Sequence, residues 1–206
     1  MSSEIKVNSL QDKTGTRVLA SDSGSVWSWG AGVPQGTILQ VQSCVKSDTQ
    51  SYTATSFGTL AGTDQNGSGS AWCVKITPTA TSSKVLVIID IHASCSADNN
   101  KSSMFGMFRD STNIYGGTIP GNQSKGFAEV RHETNTSTYY HLESYHSTFL
   151  DSPSSTSELT YSCQASCHYN SPTLYINASG YDINDNPNIA RNVRAASTIT
   201  VMEIAG

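Results

Sequence analysis

The stretch from residue 84 to residue 95 constrains the fold of this chain most, because it is the longest strongly apolar run. Every second residue from Val85 to Cys95 is apolar. The residues between them change from apolar to polar along the stretch, in the order Leu86, Ile88, Asp90, His92 and Ser94. Successive side chains of a strand point to opposite faces, so we expect one face to be buried throughout and the other to be covered over half its length. The stretch therefore predicts a central β-strand around which a sheet is built.

Shorter runs of the same kind follow one another from residue 37 to residue 206. They recur at intervals of roughly 8–15 residues, and no window keeps a helical period over three turns. Besides the central strand, the predicted strands are 37–45, 51–56, 71–77, 103–109, 113–115, 127–130, 138–150, 159–168, 173–176 and 197–204. This series predicts an all-β fold, an antiparallel β-sandwich over residues 37–206.

Residues 1–36 differ in character and are interpreted as an extended N-terminal arm. They contain short alternating segments between turn residues, and a lone hairpin of this kind is marginally stable in water. Six apolar side chains of the arm therefore need a partner: Val7, Leu10, Val18, Leu19, Trp27 and Trp29. We expect these residues to make oligomer contacts or to anchor the chain in a larger assembly. A flexible tail with incidental apolar residues is the alternative.

The composition limits the classes of partner. Charged residues make up 14% of the chain and the formal net charge is −4. No basic cluster is present, so we expect no nucleic-acid partner, because phosphate binding needs clustered cations. No segment approaches the ~20 apolar residues of a membrane-spanning helix, so we expect no membrane insertion. Residues 1–13 hold no apolar signal core, which predicts assembly in a cytoplasm without export through a cleavable signal.

The five cysteines of the chain are predicted to be free. An odd number without a secretory signal favours thiols over disulfides. Alternation along residues 159–168 puts Cys163 and Cys167 on one strand face with apolar or small neighbours, so we expect both to be buried. A metal site is the alternative, but the spacing is Cys-x3-Cys and no second pair follows it.

One loop partly matches a calcium-binding pattern. Asp182, Asn184 and Asn186 place oxygens at positions 1, 3 and 5, as a calcium loop does. Pro187 stands where such a loop needs glycine, and Val193 stands where it needs a bidentate glutamate. A polar loop is therefore favoured over a calcium site.

The histidines show no motif spacing either. No pair has the spacing of a His-Glu-x-x-His helix, and no His-x-His occurs on a predicted strand. Scattered surface positions are favoured for His92, His132, His141, His146 and His168. No Gly-x-Ser-x-Gly lies between a predicted strand and a helix. We therefore predict no catalytic residue, no metal and no cofactor, and do not expect an enzyme.

Several short motifs occur in an order that resembles structural proteins of tailed bacteriophages, particularly tail-fibre and related virion proteins of marine phages. Residues 5–19, I-K-V-N-S-L-Q-D-K-T-G-T-R-V-L, resemble the arm that opens many fibre proteins. Residues 33–41, V-P-Q-G-T-I-L-Q-V, resemble the linker and first strand of their C-terminal domains. The motifs that follow in the family's order are I-T-P-T-A-T-S-S-K-V-L-V, F-R-D-S-T-N-I-Y-G-G, T-F-L-D-S-P, L-Y-I-N and S-T-I-T-V-M-E-I-A. The resemblance covers nearly the whole chain.

The resemblance implies a homotrimeric β-sandwich, jelly-roll-like, located in the virion. It implies a non-enzymatic bacteriophage structural protein, fibre-like or knob-like, whose arm contacts other virion proteins. The sandwich is then expected to face outward and to bind a host surface glycan or protein. The chain lacks the long rod and the heptad coil of a full fibre. A head decoration or cement protein without a receptor is therefore the alternative.

Two sets of side chains bear on these alternatives. Tyrosines offer flat amphipathic surfaces suited to sugars, although packing in the core or between subunits is the favoured use of each: Tyr115, Tyr139, Tyr140, Tyr145 and Tyr169. A polysaccharide-degrading spike, the least favoured alternative, needs two carboxylates at a suitable separation. The carboxylates considered for this role are Glu129, Glu133, Glu143 and Asp151. The sequence shows no pairing among them.

Overall fold

The structure is a computed structural model that describes residues 9–11, 17–22, 26–29, 33–96, 101–121, 123–132, 141–169, 172–180 and 193–206. In these ranges the regular structure consists of β-strands. No helix in this part of the chain is long and apolar enough to span a membrane. The strands are β1 (Ser9–Gln11), β2 (Arg17–Asp22), β3 (Val26–Trp29), β4 (Ile38–Lys46), β5 (Gln50–Tyr52), β6 (Gly58–Thr59), β7 (Cys73–Ile76), β8 (Lys84–Cys95), β9 (Lys101–Arg109), β10 (Thr112–Tyr115), β11 (Ala128–His132), β12 (Glu143–Asp151), β13 (Leu159–Tyr169), β14 (Leu174–Ile176) and β15 (Ser197–Ile204).

These strands form three antiparallel sheets, of which the two larger ones carry the fold. Sheet I contains β4, β5, β8, β12, β14 and β15, and sheet II contains β6, β7, β9, β10, β11 and β13. A separate N-terminal sheet has the order β1-β2-β3. Sheets I and II share one hydrophobic core. The all-β antiparallel sandwich predicted from the sequence is therefore confirmed.

The order of the main strands is that of a jelly roll, which is built from two Greek keys. Lettered B to I along the chain, these strands are β4, β7, β8, β9, β11, β12, β13 and β15. Sheet I then has the order B-I-D-G, and sheet II has the order C-H-E-F. The short strands β5, β14, β6 and β10 extend the edges of these two sheets. The predicted jelly-roll form follows from this strand order.

Strand β8 is central in sheet I, as predicted. One of its edges pairs with β12, and the other pairs with β15 and then with β14. The alternate residues from Val85 to Cys95 are buried against sheet II. On the opposite face Leu86 and Ile88 are only half-buried. The sequence predicted a cover over these two residues, and in the single chain they remain partly open to solvent.

Large side chains fill the space between the two sheets. Phe105 and Met107 of β9 and Tyr161 of β13 are completely buried there. Trp72, which precedes β7, is also buried, and its indole Nε1 donates a hydrogen bond to the carbonyl oxygen of Cys44 over 3.4 Å. Because this space is packed, the surfaces available to a partner are the outer faces of the sheets and the connecting loops.

All five cysteines are free, as predicted, and all five are buried. Cys163 and Cys167 of β13 lie on the core face, as the alternation of residues 159–168 indicated. Burial raises the pKa of the Cys95 thiol to about 11, and it also raises the pKa of Cys163. These cysteines therefore behave as small apolar side chains in the core.

The outer face of sheet II is buried more than its sequence suggests. Ser162 and Ser166 of β13 have the polar parity, yet both are buried. After β5 the chain does not continue as the predicted strand 51–56 but crosses this face. Ser166 Oγ donates to the carbonyl oxygen of Thr55 over 2.9 Å, and the ring of Phe57 packs on that of Phe108 with 5.4 Å between the centroids.

Candidate interaction surfaces

One edge of the sandwich is closed by a polar cluster between the sheets. The Arg109 guanidinium of sheet II forms an ion pair with the Asp151 carboxylate at the end of β12, with 2.5 Å between Nη1 and Oδ2. The Tyr161 hydroxyl donates to the same oxygen over 2.7 Å. Burial, with this carboxylate as acceptor, raises the pKa of Tyr161. The cluster cross-links the two sheets through Asp151 Oδ2.

The outer face of sheet I carries an apolar band that crosses all four strand positions. In the register of the sheet, Val41 of β4 lies opposite Met202, Met202 lies opposite Leu86, and Leu86 lies opposite Leu150 of β12. Directly opposed residues of antiparallel strands point to the same face. These four side chains therefore form one row. The apolar band comprises this row and its apolar neighbours in the flanking rows: Ile38, Val41, Leu86, Ile88, Leu150, Met202 and Ile204.

The apolar band is open to solvent in the single chain. Ile38 and Leu150 are each 55% exposed and Val41 is 50% exposed. The other four members are half-buried. Water-exposed apolar residues scattered singly are ordinary, but a contiguous apolar patch on a sheet face marks a surface that contacts something else.

The face changes character toward the other end of β8. Asp90 lies opposite Thr198 on one side and His146 on the other, and His92 lies opposite Ser144. This half of the face is polar apart from Val45 of β4, which lies opposite Thr198 and is 58% exposed. The sequence indicated the change from apolar to polar along β8 alone, and the fold extends the same change to the neighbouring strands.

Sheet II carries an open depression on its outer face. It has a volume of about 630 Å³, and its lining includes Met104 of β9, Glu129 of β11 and His168 of β13. Met104 is paired with both Glu129 and Ser166 in the register, so the depression crosses three strands. The rest of the lining comes from residues 123–128, with Gln123, Ser124 and Phe127 among them. A depression of this size and mixed polarity can receive a small polar ligand.

The predicted arm residues fall only partly within the described chain. Val7 lies outside it. The backbone register of the N-terminal sheet places Leu10 opposite Leu19 and Leu19 opposite Trp29. Val18 belongs to β2, and Trp27 of β3 lies opposite Ser21. The predicted contacts of these six residues with other chains remain a prediction.

Two of the tyrosines considered for sugar binding are engaged in packing. The Tyr115 ring stacks on the Phe149 ring, with 4.1 Å between centroids and 7° between planes. Tyr145 packs against Phe105 with 5.9 Å between centroids, and its hydroxyl donates to Glu143 over 2.6 Å. Burial and this carboxylate raise the pKa of Tyr145. The favoured use of Tyr115 and Tyr145 was packing, and this is what they do. The side chains of Tyr139, Tyr140 and Tyr169 lie outside the described set.

Of the carboxylates considered for sugar cleavage, Glu143 and Asp151 stand too far apart to act as a pair. Glu143 and Asp151 stand at the two ends of β12. Eight residue-to-residue steps along the strand join them, which corresponds to roughly 26 Å between their backbones, whereas glycosidase carboxylates stand at most about 9.5 Å apart. Glu129 lies on the other sheet, at the depression. Glu133 lies outside the described residues.

The histidines that the structure describes are distributed over several surfaces. His92 and His146 are diagonal neighbours on the outer face of sheet I, and His168 lines the depression on sheet II. His141 is exposed before β12, and the side chain of His132 is outside the described set. Among the described side chains, no three of His, Cys, Asp or Glu come together in a way that suits a metal ion. The loop with Asp182 lies outside the described residues.

Comparisons with known proteins leave the family open. No protein-family model matches the sequence, and no curated protein matches it. Among solved structures, the chain is similar to one titled "Structure of infectious bursal disease virus Gx strain", with a TM-score of 0.36 and 8% sequence identity. The match covers 96% of this chain and 50% of that chain, so this chain spans about half the length of the matched one. A likeness of this degree transfers no function.

Proposed function

We propose that this chain is a non-enzymatic structural protein of a bacteriophage virion, fibre-like or knob-like. Its arm anchors it to other virion proteins and to further copies of itself, and its jelly roll faces outward and contributes to host attachment. The observation that carries the proposal is the strand order B-I-D-G and C-H-E-F of a packed eight-stranded jelly roll. This architecture is common in viral capsid and lectin domains. Fold alone does not define function, so the proposal needs further support. Two further observations provide it.

The motifs that resemble phage fibre proteins lie at the turns and strands of this jelly roll. Residues 33–41 form the turn into β4, and residues 76–87 form the connection from β7 into β8. Residues 108–117 contain the hairpin of β9 and β10, and residues 197–205 contain β15. The resemblance therefore marks the connections and strands that define the fold, which is what a shared architecture requires.

The available surfaces suit contacts with macromolecules. The space between the sheets is filled, so recognition falls to the outer faces. Sheet I offers the apolar band, which suits protein association. The depression on sheet II, with Glu129, His168 and Gln123 in its lining, offers hydrogen-bonding groups. Such groups suit the hydroxyls of a saccharide.

A head decoration or cement protein without a receptor is the second candidate. The apolar band favours it, because a protein that only binds its neighbours needs an association surface and no ligand site. A survey of binding of the purified protein to host surface glycans separates the two candidates. Specific glycan binding supports the attachment role, and its absence with firm attachment to particles supports the cement role.

The virion proposal is tested on particles of the phage that encodes this chain. After purification on a density gradient, the chain is expected to co-sediment with the particles and to resist a high-salt wash. Gold-labelled antibody against it is expected to mark the tail. A non-structural protein of the same phage serves as the control for contamination. Absence of the chain from washed particles would contradict the proposal, and label on the head alone would select the decoration role.

Self-association gives a second prediction in solution. We expect the full chain to be a homotrimer at micromolar concentration, with three times the chain mass of 22.0 kDa in light scattering. The reason is that each large apolar side chain of the arm or of the band stabilises the assembly by about 1.5–3 kcal/mol when association buries it fully. The number three comes from the family resemblance. A monomer at this concentration would refute the assembly.

A further inference from the structure

We propose that the apolar band of sheet I is the docking site for the N-terminal arm of a second copy of this chain. The inference rests on the self-association part of the proposed function and names the surface and the segment that meet. The observation behind the inference is that Leu86 and Ile88 belong to the central strand and yet are only half-buried in one chain.

The band and the polar residues beside it cover a surface large enough to take part in an interface. Four strand positions at ~4.8 Å spacing and three rows on one face span about 19 by 20 Å, which is on the order of 400 Å². The middle row is apolar throughout, whereas the flanking rows also contain Lys84, Ser43, Thr200 and Thr148, so about half of this surface is apolar. A stable interface buries about 800 Å² per partner. The surface supplies part of this area, and in a closed ring each chain also buries its own arm.

The strand composition shows that apolar residues were placed outward here. Three of the four outward positions of β4 are apolar, Ile38, Val41 and Val45, and the fourth is Ser43. Three of its four inward positions are polar, namely Gln40, Gln42 and Lys46, and the fourth is Cys44. This reverses the usual arrangement of a sheet with one solvated face. An outward apolar row on an edge strand is a hazard for aggregation unless something covers it. The arrangement therefore indicates a permanent cover.

The arm has a composition and a backbone that fit this cover. Five of its six apolar residues lie on three short strands, and Val7 lies outside the described residues. The three strands at ~4.8 Å spacing form a sheet about 14 Å wide, which covers three of the four strand positions of the band. Two sheets that each have an apolar face pack face to face about 10 Å apart. Charge does not oppose the contact. Residues 1–36 contain three acidic and three basic side chains: Glu4, Asp12, Asp22, Lys6, Lys13 and Arg17.

The junction of arm and sandwich lies at the rim of the band. Gly36 N donates to the carbonyl oxygen of Ala205 over 2.8 Å, and Ala205 N donates to that of Thr37 over 2.8 Å. Ile38 follows Thr37, and Ile204 precedes Ala205. Ile38 and Ile204 lie opposite each other in the register and both belong to the band. An arm that leaves one copy at this point starts from the edge of the interface, so arm and band form a continuous surface around a symmetry axis. Each copy gives one arm and receives one, which closes the ring.

A charged pair of substitutions tests the band in the full chain. Val41→Glu with Leu150→Glu places two carboxylates in the row, on side chains that are half or more exposed and therefore not needed for folding. We expect the mass in solution to fall threefold, from trimer to monomer. Ser144→Glu, on the same face and on the same strand as Leu150 but in the polar half, is expected to remain trimeric. Circular dichroism and thermal unfolding verify that both variants are folded.

A photo-crosslinking residue at position 41 identifies the occupant without disrupting the contact. Light and heavy isotope-labelled chains are co-refolded in equal amounts, irradiated and digested. We expect cross-links from position 41 to peptides of residues 1–32, about half of them between a light and a heavy chain.

The outcomes separate this inference from the proposed function. A wild-type trimer whose mass the double substitution leaves unchanged overturns the band as docking site but leaves self-association standing. A wild-type monomer overturns both. Cross-links to residues 1–32 of the same chain only, or to the band of another copy, overturn the second copy's arm as the occupant.

Discussion

Replacing Ile89 with alanine is expected to lower the free energy of unfolding by about 2–5 kcal/mol, the range for removing a large aliphatic side chain from a packed core. Ile89 is 1% exposed in the middle of β8, where it faces sheet II. The neighbouring strands pair with β8 on both edges at this position, through Ser147 and Ile199. The site is therefore held from both sides and has little freedom to collapse around a cavity. Denaturant unfolding measures the loss.

Ile88→Ala is the matched control, since it removes the same atoms from the preceding residue of the same strand. Ile88 lies on the outer face and is half-buried. Measured in the Val41→Glu, Leu150→Glu background, which is expected to be monomeric, this substitution should cost about 1 kcal/mol, because part of the side chain faces water in the single chain. Equal costs at the two positions would show that the parity of β8 is wrong.

Replacing Glu203 with alanine is expected to cost about 3–5 kcal/mol, because buried donors that lose their acceptor are expensive. Glu203 of β15 is completely buried. Its carboxylate accepts four hydrogen bonds. Oε1 accepts from the backbone N of Thr79 (2.7 Å), from Thr79 Oγ1 (2.8 Å) and from Ser83 Oγ (2.7 Å), and Oε2 accepts from Gln40 Nε2 (2.7 Å). These bonds tie the connection between β7 and β8 to β15 and β4. Glu203→Gln keeps the volume and one acceptor oxygen, and we expect it to lose less.

The same carboxylate predicts a dependence on pH. Burial by itself raises the pKa of Glu203, but the hydrogen bonds from Gln40, Ser83 and Thr79 outweigh it, so the pKa lies below its ordinary value. A carboxylate with a lowered folded-state pKa stabilises the fold fully above its unfolded pKa of about 4.3. This contribution is lost as pH falls through the folded pKa. The difference in stability between the wild type and Glu203→Ala should therefore shrink below about pH 4, and a constant difference down to pH 3 would contradict the assigned role.

The alternation of side chains along single strands was predictable from the sequence. The core face of β8, the burial of Cys163 and Cys167, and the positions of the main strands follow from the period of two, because a strand has only two faces. Local turn residues also fixed where most strands end. These predictions needed no knowledge of which strands are neighbours.

The candidate surfaces depended on that knowledge. The row Val41, Met202, Leu86 and Leu150 comes from four strands that are far apart in the sequence, and only the pairing of β4, β15, β8 and β12 places them side by side. A partial signal for this surface is present in the sequence, since Leu86 and Ile88 are apolar residues of the second face of β8. The depression at Glu129 and His168 likewise needs the pairing of β11, β9 and β13.

The sequence by itself therefore determined the class of fold and which side chains of each strand share a face, since both are local consequences of backbone geometry. Where both faces of a strand carry apolar and polar residues, only the tertiary structure decided which face is buried. Strand β15 is the example: its inward residues are Ile199, Val201 and Glu203, and its outward residues include Met202 and Ile204. The physical reason is that a buried carboxylate is stable only if donors from other segments reach it. Thr79 and Ser83 lie more than a hundred residues before Glu203, and no pattern within β15 carries that information.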